Sequence, residues 1–152
     1  MICTFFGHRD TPVEINDVLQ KVLLFLIEKK GVDHFLVGHN GTFDVMVQKA
    51  LQNLKNIHPY IRYEVVLAYL PTEKNTDGLL GYANTIYPDG IENIPPRFAI
   101  SARNRWMVEK AQFVVTYTVY SAGGAAQFSS LAKKKGKTVI NLADILTTVD
   151  EE

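Results

Sequence analysis

The sequence has little cysteine and no excess of charge of either sign. Cys3 is the single cysteine among 152 residues, which excludes an internal disulfide and a multi-cysteine metal site. Such sparse use of cysteine is typical of a reducing compartment, so we expect a cytoplasmic protein. The 16 Lys and Arg residues balance the 16 Asp and Glu residues. Because proteins that coat nucleic acid usually carry a basic excess, this balance disfavours nucleic acid as a partner.

Long apolar runs and metal-ligand patterns are also missing. The longest apolar run, from Val22 to Ile27, is far shorter than the roughly 20 residues that a membrane span needs, so we expect no membrane partner. No spacing of His, Asp and Glu is typical of a metal site, and no particular cofactor is indicated. The length and the hydrophobic content of 47% predict one globular domain over residues 1–152.

Short apolar runs alternate with amphipathic helical patterns along the chain. Five runs predict buried strands, at residues 2–6, 34–38, 63–69, 113–117 and 138–142. The segment 72–96 breaks this alternation because it is rich in glycine and proline, so we expect an irregular excursion there. The pattern predicts an α/β fold, a Rossmann-like three-layer α/β/α sandwich around a mainly parallel five-stranded sheet.

Ligands of such folds bind outside the carboxyl ends of the strands, near the point where the strand order reverses. Three strand-to-helix turns with glycine belong to that edge, and a polar helix start follows the excursion. The candidate ligand-binding residues are Gly7, His8 and Arg9 in the first turn, Gly38, Asn40, Gly41, Thr42 and Asp44 in the second, Ser121, Gly123 and Gly124 in the third, and Arg103 and Asn104 at the helix start.

Each candidate has a functional and a structural interpretation. Gly123 and Gly124 leave main-chain N–H groups open to a phosphate or carboxylate, or they only permit a tight turn. The guanidinium of Arg9 suits the same anions, whereas His8 either points into the cleft or fills space. Arg103 reaches the cleft or belongs to a solvated polar face.

The second turn carries the same two interpretations. Thr42 or Asp44 can bond a sugar hydroxyl, or Asn40 and Thr42 simply cap the following helix. Three aromatic residues, Tyr82 and Tyr87 in the excursion and Phe98 just after it, have two interpretations. They can stack on a base, or they can anchor the segment to the core.

These motifs, in this order, resemble the SLOG superfamily of Rossmann-like proteins. That superfamily includes the Smf-type DNA-processing proteins, the Lonely Guy phosphoribohydrolases and the YpsA-like bacterial proteins. The resemblance is nearest to the small stand-alone YpsA-like members and extends over residues 1–142. It is carried by Gly7-His8-Arg9, by the turn from Gly38 to Asp44, by the segment from Arg103 to Val108, by Gly123-Gly124 and by the strand from Lys137 to Asn141.

The resemblance implies a pocket for a nucleotide or a nucleotide-derived small ligand, and it implies a homodimer. It leaves catalysis open, because Lonely Guy enzymes carry Pro-Gly-Gly-x-Gly-Thr-x-x-Glu in the third turn. In this sequence that proline, the third glycine and the threonine are missing, and Ser130 stands at the position of the glutamate.

Two functions therefore compete. The first is binding of a small nucleotide-like ligand at the C-terminal edge of the sheet, as in a sensor. The alternative is a nucleotide N-glycosidase or phosphoribohydrolase, in which Asp44 or Asp10 would supply the carboxylate. A DNA-linked role, as in Smf-type proteins, is disfavoured because the basic cluster of Lys133–Lys135 with Lys137 also suits a helix C-terminus.

Overall fold

The computed structural model describes residues 1–70 and 84–151, the last five of these by their backbone only. The strands are β1 (Ile2–Gly7), β2 (His34–Val37), β3 (Arg62–Val66), β4 (Thr85–Ile86), β5 (Phe113–Tyr117) and β6 (Thr138–Asn141). The helices are α1 (Ile15–Lys30), α2 (Thr42–Ile57), α3 (Ala99–Lys110), α4 (Gly124–Lys134) and α5 (Leu142–Glu151), and two 3₁₀ turns lie at Ile91–Asn93 and Pro96–Phe98.

The described strands form one parallel sheet in the order β4-β3-β2-β1-β5-β6. This confirms the predicted Rossmann-like α/β fold. The sheet has six described strands, one more than predicted, because β4 pairs with β3 through Val65 and Thr85. Two residues are too few to show the period-2 pattern from which a strand is predicted.

Segment 72–96 contains more regular structure than we expected. Its second half holds β4 and the first 3₁₀ turn, and the second 3₁₀ turn begins at its last residue, Pro96, and leads directly into α3. Residues 72–83 of the predicted excursion lie outside the described residues.

Alternating side chains fill two apolar layers on the two faces of the sheet. Phe5 packs on Phe35 at 6.1 Å between ring centroids, within the layer that α1, α2 and α5 cover. The next residue, Phe6, packs on Phe128 at 5.4 Å, within the layer under α3 and α4. Buried strands with apolar residues on both faces are what a covered parallel sheet requires.

The connections reverse direction at β1. From β1 the chain proceeds through β2 and β3 to β4, and α3 then returns it to the opposite side of β1, where β5 and β6 pair. Neighbouring crossovers therefore diverge at the carboxyl ends of β1 and β5 and leave room for a ligand. None of the helices in residues 1–70 and 84–151 combines the length and apolar character that a bilayer crossing demands.

Candidate functional site

A cleft of about 320 Å³ opens at this reversal point. Its volume is at the lower end of the range for small-ligand pockets, which corresponds to about one nucleotide-sized ligand. Nine of the thirteen predicted residues line it, namely Gly7, His8, Arg9, Gly38, Asn40, Asp44, Arg103, Asn104 and Gly124. Phe5, Phe6, Ile100, Met107 and Ala125 complete the described lining.

The four other predicted residues lie beside the cleft. The main-chain N–H of Thr42 donates to the carbonyl of Arg9 at 2.9 Å, and Gly41 packs against the same residue, since an added Cβ would be 2.9 Å from the Cα of Arg9. Ser121 and Gly123 are exposed in the turn before α4. Gly41 and Thr42 thus hold Arg9 at the rim, while a ligand role for Ser121 and Gly123 stays a prediction.

Arg103 is the central charge of the cleft and is only 3% exposed. Its Nη1 donates to Asn40 Oδ1 at 2.7 Å and to the carbonyl of Val66 at 3.4 Å, and its Nε donates to Asn104 Oδ1 at 3.1 Å. Burial lowers the pKa of Arg103, which Asp44 and Tyr69 partly offset by charge attraction. Guanidinium nevertheless remains protonated in proteins, so a fixed positive charge lies at the carboxyl ends of β2 and β3.

Asp44 stands in the first turn of α2, beside this arginine. Its Oδ2 accepts a hydrogen bond from the main-chain N–H of Asn40 at 2.8 Å, and Asn40 thereby contacts both charged groups. Burial raises the pKa of Asp44, against the lowering effects of the Asn40 hydrogen bond and of the charges of Arg103 and His39. A carboxyl group in this setting holds its proton more tightly than an ordinary aspartate.

The absence of a side chain at Gly38 leaves room for both charged side chains, those of Asp44 and Arg103. A Cβ on Gly38 would lie 2.8 Å from Asp44 Oδ2 and 3.3 Å from Arg103 Nη1. Gly7 serves packing in the same way, because an added Cβ would overlap the ring of Phe43 and lie 2.8 Å from its Cβ. Both glycines line the cleft, and protein neighbours already require that they carry no side chain. A ligand role for Gly7 and Gly38 stays a prediction.

The first turn of α4 forms another wall of the cleft. Gly123 is its N-cap residue at φ 105° and ψ 176°, a conformation that is essentially restricted to glycine. Among the described residues, no side chain caps the helix, and an added Cβ on Gly123 or Gly124 would have no neighbour within 4 Å apart from adjacent backbone. The open N–H groups and the helix dipole therefore present partial positive charge beside Gly124 and Ala125.

His8 is fixed at the rim by the β5–α4 turn. Its Nε2 accepts a hydrogen bond from the main-chain N–H of Val119 at 3.0 Å, so the neutral ring carries its proton on Nδ1. The ring also contacts Tyr117 and Tyr120, at 5.6 and 4.9 Å between ring centroids. His8 was predicted either to point into the cleft or to fill space. The structure shows features of both, because His8 lines the cleft and also supports the turn.

Sequence reasoning missed Asn141 and Tyr120. Asn141 ends β6 and anchors the β5–α4 turn through Thr118. Its Oδ1 accepts a hydrogen bond from the main-chain N–H of Thr118 at 3.1 Å, and its Nδ2 donates to the carbonyl of Thr118 at 3.0 Å. A polar residue closing an apolar strand at the carboxyl edge was the available signal. Tyr120 stands one residue before the glycine turn, in the same loop.

The other predicted features lie apart from the cleft or carry no role in it. Tyr87 packs against the core, Phe98 is 49% exposed and Tyr82 is outside the described residues. The lysine cluster follows the end of α4 near the amino end of β6, at the opposite edge of the sheet. Within the described ranges, no group of three or more His, Cys, Asp or Glu side chains could hold a metal ion.

Two solved structures have a similar fold. DNA processing protein A (DprA) from Streptococcus pneumoniae matches with a TM-score of 0.66 and 18% identity over 90% of this chain and 48% of that chain. DNA processing protein A from Helicobacter pylori matches with a TM-score of 0.63 and 15% identity over 99% of this chain and 73% of that chain. This chain spans about half the length of the Streptococcus protein.

The likeness to both structures shows the Rossmann-like fold, and the resemblance to the SLOG superfamily and to its YpsA-like members stays a prediction. No protein-family model matches the sequence, and no curated protein sequence matches it.

The comparisons correct one prediction. Nucleic acid was disfavoured as a partner because the net charge is zero, yet the Helicobacter protein with this fold is described by its single-stranded DNA binding mode. The prediction was wrong because a ligand responds to the local field rather than to the charge of the whole surface. In this cleft the local field combines a buried guanidinium with an open helix N-terminus.

Proposed function

We propose that the protein binds a nucleotide unit, with its phosphate in the cleft between Arg103 and the first turn of α4. One observation carries the proposal: Arg103 is almost completely buried, it lines the cleft, and its Nη2 makes no hydrogen bond within the described part of the chain. A guanidinium N–H that lines a cleft and has no partner in the described chain can donate to a ligand there, and a phosphate oxygen accepts such a charge-assisted hydrogen bond well.

Two sources supply the same chemistry, a single-stranded nucleic acid and a free nucleotide. The single-stranded DNA binding of the Helicobacter protein supports a nucleic acid strand as the ligand. The size of the cleft, about one nucleotide, is compatible with either source and with the sensor role predicted from the sequence.

The proposal is tested by fluorescence anisotropy with a labelled 12-nucleotide oligo-dT strand, competed by an unlabelled strand and by nucleoside mono-, di- and triphosphates. Arg9 is exposed at the rim, so Arg9→Ala should fold normally and lose one charged contact. Hydrogen bonds to charged groups contribute about 1.5–3 kcal/mol, so we expect binding to weaken at least tenfold.

The matched control is Lys134→Ala, which removes one exposed positive charge at the opposite edge of the sheet. It should bind as the wild type does. Competition by the strand alone identifies nucleic acid as the ligand, and competition by a free nucleotide identifies the small ligand. If neither binds the wild-type protein, or if both variants lose affinity equally, the proposal is wrong.

The position of Asp44 favours a second candidate function, nucleotide N-glycosidase activity. It is the one carboxyl group in the described lining of the cleft, and a pKa raised by burial is the direction that a proton donor requires. Incubation with nucleoside monophosphates, followed by chromatography for free base, tests this activity. Release that is no faster than with Asp44→Asn removes the alternative.

A further inference from the structure

We propose that Tyr120 carries the base of the bound nucleotide by stacking on its exposed ring face. The inference rests on the proposed function, because it needs a phosphate in the neighbouring cleft. Tyr120 is 68% exposed, and its ring lies 4.9 Å from the ring of His8, measured between centroids. His8 in turn lines the cleft. The exposed ring and the phosphate site are thus separated by one side chain, a spacing that a sugar can bridge.

The Tyr120 ring contacts His8, which is itself held in place by the surrounding turn. His8 is held by the N–H of Val119 and by the edge of Tyr117, which is only 8% exposed. The side chain of Asn141 fixes the start of the same turn through three hydrogen bonds to Thr118. An aromatic surface that is already in place loses little conformational freedom when a base stacks on it.

Other described aromatic residues at this edge fit the role less well. The guanidinium of Arg97 lies over the ring of Phe98, 4.8 Å from its centroid, and neither residue lines the cleft. Tyr87 packs against apolar residues of the core. Tyr120 is exposed and also contacts a side chain that lines the cleft, which is the arrangement of a stacking platform.

The ligand class follows from this chemistry. Stacking tolerates every base because each has a π-face, and its strength grows with the size of that face. We therefore expect binding of all four bases with a preference for purines, and no recognition of hydrogen-bonding edges by this residue.

The test compares Tyr120→Ala and Tyr120→Phe on two labelled 6-nucleotide strands, oligo-dA and an abasic strand with the same phosphates. Because Tyr120 is exposed, both variants should fold, which thermal melting verifies. Tyr120→Ala should weaken binding of oligo-dA by about 5- to 160-fold, the range that corresponds to loss of one stacked base. Tyr120→Phe keeps the ring and should remain within about twofold of wild type, and the abasic strand should bind all three proteins equally.

A second readout is the fluorescence of 2-aminopurine placed in the strand, which stacking quenches. Quenching should occur with wild type and with Tyr120→Phe and should be lost with Tyr120→Ala. If Tyr120→Ala binds oligo-dA as wild type does, or weakens the abasic strand as much as oligo-dA, the stacking role is refuted. Failure of the proposed function differs from this, because wild type would then bind neither strand and no free nucleotide, and Arg9→Ala would change nothing.

Discussion

At the scale of single residues, the cleft brings a cation and a carboxyl group to one place without placing either in open water. Arg103 keeps its charge under nearly complete burial, and Asn40 links it to Asp44 by one hydrogen bond on each side. For Asp44, burial outweighs the attraction of the arginine, so its pKa is raised. The folded protein thus favours the ionised carboxylate less than the unfolded chain does.

A stability measurement can test this balance. A raised pKa in the folded state means that the contribution of Asp44 to stability is fully present below its pKa in the unfolded chain and is lost as the pH rises through its folded pKa. Asp44→Asn keeps an oxygen for the Asn40 N–H and removes the buried charge. We therefore expect the variant to melt at a higher temperature than wild type at pH 8, and the difference to shrink as the pH falls towards about 4.

The control for this experiment is Asp10→Asn, which removes an exposed carboxylate from the β1–α1 turn. It should leave the melting temperature close to that of wild type throughout the same pH range. A lower melting temperature of Asp44→Asn at pH 8 would mean that the attraction between Asp44 and Arg103 outweighs the cost of burial.

The sequence identified single residues of the cleft better than it identified their roles. Gly7 and Gly38 were predicted as ligand-binding residues, and the structure shows that Phe43, Asp44 and Arg103 occupy the space where their side chains would be. Which side chain occupies the space above a glycine depends on contacts between residues far apart in the chain. Periodicity and local motifs contain no information about such contacts.

At the scale of elements, strand runs and helix periodicity were sufficient to predict most of the fold. The five predicted strands all belong to the sheet, because buried parallel strands are nearly continuous apolar runs. β4 escaped prediction because two residues at the edge of the sheet have no period of their own. The strand order itself was not predicted, because nothing local in the sequence determines that the chain returns from β4 past β1.

The contact between β1 and α2 gives a prediction at this scale. Phe43 is 1% exposed and fills the space over Gly7, so Gly7→Ala must displace either the helix or the strand. Overpacking of this kind costs about 1–3 kcal/mol, and each kcal/mol corresponds to about 2–4 °C in a domain of this size. We expect the melting temperature to fall by about 2–12 °C, measured by circular dichroism.

Gly124→Ala is the matched control, because it adds the same methyl group at the first position of α4, where no described residue beyond the adjacent backbone lies within 4 Å. Alanine also has a higher helix propensity than glycine, so this variant should be as stable as wild type or slightly more stable. Equal melting temperatures of Gly7→Ala and wild type would show that α2 adjusts at no cost.

At the scale of the whole molecule, the charges are balanced in number but not in position. The lysine-rich end of α4 lies at the amino edge of the sheet, whereas the cleft lies at the carboxyl edge. The net charge of +0, which is a sum over the whole chain, therefore does not describe the local charge at either edge of the sheet. The prediction of a homodimer remains a prediction, as does a single domain over residues 1–152, and both can be checked by the mass and the cooperativity of unfolding of the protein in solution.

This distribution of charge predicts how a bound strand responds to salt. A cleft for one nucleotide, with Arg103 inside and Arg9 at the rim, neutralises one or two phosphates. For single strands each neutralised phosphate contributes about −0.7 to the slope of log K against log salt concentration, so we expect a slope between about −0.7 and −1.4. Affinity for a 12-nucleotide strand should then fall only about 3- to 7-fold between 50 and 200 mM NaCl.

Strand length supplies the complementary measurement, because a site that holds one or two phosphates gains little from further nucleotides. A 4-nucleotide strand should bind nearly as tightly as a 12-nucleotide strand once the number of overlapping registers is taken into account, and its salt slope should be the same. A slope steeper than about −3 would require four or more neutralised phosphates. Such a result would mean that the strand runs beyond the cleft, over basic residues that the present assignment leaves out, and the single-nucleotide site would have to be abandoned.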